Sequence, residues 1–97
     1  MDERIEAFFA DVLALEGEKP EAIGAGVRIA LGDAETAFRE RGDNRRMKDR
    51  AVHACHALCR SRLVEEMRRR KGPPTADHLK LVLGILDKPT HLPSNDR

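Results

Sequence analysis

Apolar residues return every three or four positions in four separate runs of this chain, the spacing of helices with one buried side. The first run covers about residues 2–16, where Ile5, Phe8, Phe9, Val12 and Leu13 make one stripe. Asp2 and Glu3 stand in the first turn, where the amide dipoles favour negative charge, and Gly17 supplies a stop. Pro20 suits the first turn of a second helix, because its missing amide hydrogen costs nothing there. Ile23, Val27, Ala30, Leu31, Ala34 and Phe38 form the buried face of that helix. Gly24, Gly26 and Gly32 weaken it, each by about 1 kcal/mol relative to Ala in a helix interior. Gly32 falls in the middle of the stripe and predicts a close crossing by a neighbour. Gly24 and Gly26 fit either a crossing or a helix that begins after them.

Gly42 closes the second helix and Asp43 or Asn44 can cap a third, from about residue 44 to 70. It is the longest, on the order of 40 Å at about 1.5 Å per residue. Met47, Ala51, Ala54, Cys55 and Leu58 form its predicted inward stripe, with Val52, Cys59 and Leu63 widening one flank. Gly72-Pro73-Pro74 then breaks the chain. Thr75 is the expected cap of a fourth helix reaching about Leu86. Leu79, Val82, Leu83 and Leu86 lie on one side of it, and Leu81 and Ile85 lie nearly opposite. Two apolar sides on a terminal helix predict that Leu81 and Ile85 contact a second subunit. From Lys88 onward, Pro89, Pro93 and polar residues suggest a flexible tail over 88–97, after a single helical domain over 1–87. No segment alternates with period two, so a sheet is not expected. The fold class is therefore all-α: a compact, dimeric, four-helix bundle-like domain with one long central helix.

Composition narrows the choice of function. The chain has 97 residues, 40% of them apolar and 36% charged, enough for one small core under long exposed helices. A core of this size leaves stability marginal, which favours a homodimer. Phe8, Phe9 and Phe38 are the only aromatic residues, too few to wall a deep ligand pocket. No run approaches the roughly 18 apolar residues of a membrane span, and Met-Asp-Glu-Arg does not open like a signal peptide. A cytoplasmic protein is expected, with the two cysteines reduced.

The net charge of +1 conceals a separation along the chain. Residues 1–38 carry three basic and nine acidic side chains; residues 39–71 carry twelve basic and five acidic. Either acidic helices pack on a basic one, within the chain or across a dimer, or the basic segment meets an acidic partner.

Metal, thiol and proton chemistry have one place to gather, His53-Ala-Cys55-His56-Ala-Leu-Cys59. At about 100° per residue, Cys55, His56 and Cys59 share an arc of roughly 100°. Two thiolates and an imidazole suit zinc or copper(I), making a metal- or thiol-responsive switch one reading. A tetrahedral zinc site needs further ligands, for which His78, His91 or a second subunit are candidates. Packing is the competing reading, because free cysteine behaves as a small hydrophobe. The pattern is neither Cys-x-x-Cys nor Cys-x-x-Cys-His, and a regular helix disfavours a disulfide between positions four apart. With no carboxylate near in sequence to orient an imidazole and no phosphate loop, no enzyme is expected.

Arg46, Arg50, His53 and Arg60 lie within about 80° of one another on the third helix, opposite its predicted apolar side. Such a basic ridge can lie along an acidic protein surface or a phosphate backbone. Arg68-Arg69-Arg70-Lys71 adds charge at the helix C-terminus, where the dipole favours it. Base-reading amides are scarce, only Asn44 and Asn95, and the ridge carries no aromatic platform. The sequence thus points first to a small non-enzymatic interaction or regulatory protein with an acidic protein partner. A nucleic-acid-binding regulator using the same ridge is the rival.

Overall fold

The computed structural model describes residues 2–70 and 72–88. They form α1 (Glu3–Ala14), α2 (Pro20–Arg39), α3 (Arg45–Arg69) and α4 (Thr75–Asp87), with no strand among the described residues. The expected tail lies outside the described residues from position 89 onward.

The helix ends follow from local chemistry. Asp2 caps α1 by accepting the Arg4 amide at 2.8 Å, and Asn44 caps α3 by accepting the Met47 amide at 2.9 Å. Gly17 takes φ +91°, a left-handed setting that glycine adopts without strain, and so turns the chain out of α1. Thr75 is not the cap of α4: it is the first helical residue, and Pro74 precedes it without a side-chain bond. α2 begins at Pro20 and runs through all three of its glycines. The close approach occurs at Gly26, where a Cβ would lie 2.7 Å from the Leu15 side chain. Nothing of the chain lies within 4 Å of the corresponding point at Gly32, so the expected crossing there is absent.

Packing makes two layers. α2 and α3 form one, and α1 and α4 both lie against that pair. His78, buried on α4, bonds through Nε2 to the Val12 carbonyl oxygen of α1 at 2.8 Å and ties the second layer together. The shortest dimension of the molecule is 18 Å, the thickness of two helix layers about 10 Å apart. Ile5, Phe8, Phe9 and Val12 of α1 meet Val27, Leu31, Ala34 and Phe38 of α2, and α4 adds Leu79, Val82 and Leu86 in one core. Away from that core, α2 and α3 keep exposed faces among the described residues, and Asp87 of α4 reaches Arg60 at the edge of the α3 face.

The inward stripe of α3 differs from the expected one. Cys55, Cys59, Leu63 and Glu66 are buried, whereas Met47, Ala54 and Leu58 are exposed. The buried arc is turned by roughly a quarter of a revolution at about 100° per residue. The reason is where the core lies: no residue from 45 to 54 is fully buried, so Met47, Ala51 and Ala54 have little say in the orientation. What had looked like a flank, Cys59 and Leu63, is the centre.

On α4, Leu83 and Ile85 are half-buried against the core. Leu81 is 45% exposed, and Ile85 follows it one turn along the same side of α4.

These placements predict unequal costs for two similar truncations. Leu63→Ala should lose about 2–5 kcal/mol in urea unfolding, whereas Leu58→Ala should lose less than about 1 kcal/mol.

Candidate functional site

The basic residues divide into those that hold the fold together and those left free. Arg62 is the chief example of the first kind. Its guanidinium bonds Glu6 of α1 at 2.9 Å and Glu66 one turn along α3 at 2.9 Å, and lies 4.1 Å above the Phe9 ring. Glu66 also pairs with Arg70 at 2.6 Å and Arg69 at 3.8 Å. Arg41 bonds Asp2 at 2.8 Å and covers the Phe38 ring at 4.3 Å. His56 of α3 bonds the Glu35 carboxylate of α2. The acidic N-terminal helices therefore neutralise the inner side of the basic segment within the chain.

All four residues of the predicted ridge are exposed. Arg60 is engaged, pairing with Asp87 of α4 at 3.1 Å. Arg46, Arg50 and His53 have no acidic partner among the described residues. They stand on the exposed side of the α2/α3 layer over about 10 Å of helix. Met47 and Leu58, 43% and 42% exposed, lie beside this row. Arg68 is likewise exposed, and Lys71 lies outside the described residues.

The cysteine and histidine residues do not converge. Cys55 and Cys59 are both fully buried free thiols facing the core, while His56 turns sideways to Glu35 and His53 faces outward. No group of three metal-ligating side chains is present among the described residues. His78 is engaged with Val12, and His91 lies outside the described residues. Cys55 is held below the ordinary thiol value, first by the neighbouring Cys59 thiol, with burial opposing. The Cys55 thiol, then burial, pushes Cys59 far above the ordinary thiol range. Neither thiol reaches the surface.

A half-open hollow of about 210 Å³ lies between α2 and α3, with Leu31 and Gly32 as its floor and Arg28, Glu35 and His56 at its rim. A Cβ at Gly32 would meet no other described side chain within 4 Å. The spacing rules that found His56 do not find Glu35 or Arg28, because helix pairing sets these contacts. Arg62 and Glu66 escaped for a related reason: a charged pair at i and i+4 looks like an exposed one in sequence.

The ion network has a pH signature. Glu66 is held below its ordinary value of 4.5, chiefly by the Arg62 hydrogen bond and then by Arg70, with burial opposing both. Asp2 is likewise lowered from 3.8, first by Arg41. Groups lowered on folding contribute stability that is complete above their ordinary values and lost as pH falls through the folded ones. The thermal unfolding midpoint should therefore fall from about pH 5 downward. Glu66→Gln should cost about 2 kcal/mol at neutral pH and flatten that acid limb. Ellman's reagent should leave both thiols untouched in the native protein and label both in denaturant.

Compared with known proteins, the chain matches no family model, no curated protein and no solved structure.

Proposed function

We propose that this chain is a small cytoplasmic interaction protein, non-enzymatic and dimeric, that binds an acidic protein surface through the outer face of α3. One observation carries the reading. The arginines whose charge the fold needs are paired, and Arg46, Arg50 and His53 are exposed and in no ion pair among the described residues. A row of unneutralised cations on a rigid helix speeds and orients encounter with an oppositely charged surface. Exposed Met47 and Leu58 beside the row add apolar area, which protein partners use and phosphate backbones do not.

A nucleic acid is the rival partner for the same cations. Phe8, Phe9 and Phe38 are buried, so none can stack on a base. Asn44 spends its side-chain oxygen on the α3 cap. These two facts favour protein.

The test is a binding titration by fluorescence anisotropy with an amphipathic helical peptide bearing a glutamate-rich face. The wild-type chain should bind it at low salt, and Arg46→Glu with Arg50→Glu should weaken binding by about tenfold or more. Circular dichroism of the double variant should remain that of the wild type. If a DNA duplex binds and the peptide does not, the nucleic-acid reading replaces this one.

A further inference from the structure

We infer that the acidic surface this ridge engages is the outer face of α2 in a second copy of the chain. The inference rests on reading the ridge as a protein-binding surface, and it adds the partner. α2 and α3 pack side by side, and each keeps an exposed face turned away from the core. That face of α2 presents Ala22, Ala25, Ile29, Asp33 and Glu40, all exposed. Ile29 is 66% exposed, the most of any large apolar residue among those described. Asp33 and Glu40 have no cationic partner among the described residues, the mirror of Arg46 and Arg50. One chain thus carries both halves of a complementary contact on a single flat face.

Symmetry decides how two copies meet. A two-fold axis running along the helices, between α2 and α3, lays α2 of each copy on α3 of the other. An in-plane axis across the helices would instead stack α3 antiparallel on α3, basic helix against basic helix, which like-charge repulsion disfavours. Rotation about an axis parallel to the helices does not shift them lengthwise. The register between copies is therefore the register within the chain, where Glu35 of α2 lies level with His56 of α3. Glu40 of one copy then faces Arg50 of the other, with Arg46 one turn away. Asp33 falls near His53 and Ala57, and Ile29 beside Leu58 and Ser61. Small residues at Ala22, Ala25 and Ala57 let the backbones come close. The hollow over Gly32, which no other described residue fills, lies in the seam along the axis.

Sedimentation velocity on the full chain tests this. The wild type should be a dimer at roughly tens of micromolar and weaken with added salt. Arg46→Glu with Arg50→Glu should give a monomer, and so should Asp33→Arg with Glu40→Arg. Mixing the two double variants should restore a dimer, because both contacts in the mixed pair are again opposite in sign. That recovery also shows that each variant is folded. Leu81→Glu, on the far layer, should leave the dimer intact. A wild-type monomer, a dimer indifferent to both double variants, or one dissociated by Leu81→Glu alone would each overturn the inference. A monomer that still binds the acidic peptide would sink the second copy as partner and leave the ridge reading standing. Loss of both would sink the two together.

Discussion

Arg62 and Glu66 settle how α3 lies against the rest of the molecule. This helix has little hydrocarbon to offer the core: Cys55, Cys59 and Leu63 are its only fully buried apolar side chains. A stripe so narrow leaves rotation about the helix axis poorly defined by burial alone. Arg62 supplies what is missing, with its stem and guanidinium on Phe9 and its charge between Glu6 and Glu66. Withdrawing these charges from water is tolerable because each has several partners, and a half-made network would be worse than none. Once Arg62 and Glu66 face inward, the row on the opposite side of α3 must face out.

The same sorting explains a charge distribution that otherwise looks wasteful. Asp2, Glu6 and Glu35 from the acidic third meet Arg41, Arg62 and His56 from the basic third, so much of the separation is spent inside the fold. Among the charges left unpaired, four bear on the proposed contact. Asp33 and Glu40 stand on the outside of α2, and Arg46 and Arg50 stand on the outside of α3.

The cysteine–histidine run shows how the environment overrules an inventory of side chains. Two thiols and an imidazole within one arc have the makings of a soft-metal site. Burial takes the thiols into the core, and an ion pair takes His56 towards α2. The arc survives in projection, but the groups have been given separate tasks.

Periodicity and helix-end chemistry were enough to place all four helices within about two residues, because both are local: Asp2, Pro20, Gly17 and Asn44 act on their own turns. The outward setting of Arg46, Arg50 and Arg60 was legible for the same reason, as a polar row is easily recognised on a helix. Three things were not. The quarter-turn of the α3 stripe depended on which stretch of a long helix its neighbours cover. The partnership of Glu35 with His56, and of Arg62 with Glu6 and Phe9, joined residues far apart in the chain. The open space over Gly32, where a crossing had been expected, depended on where α1 and α4 came to rest. Local sequence decides what each helix can bury; only packing decides which part of that offer is taken up, because burial is a property of pairs of surfaces and not of one.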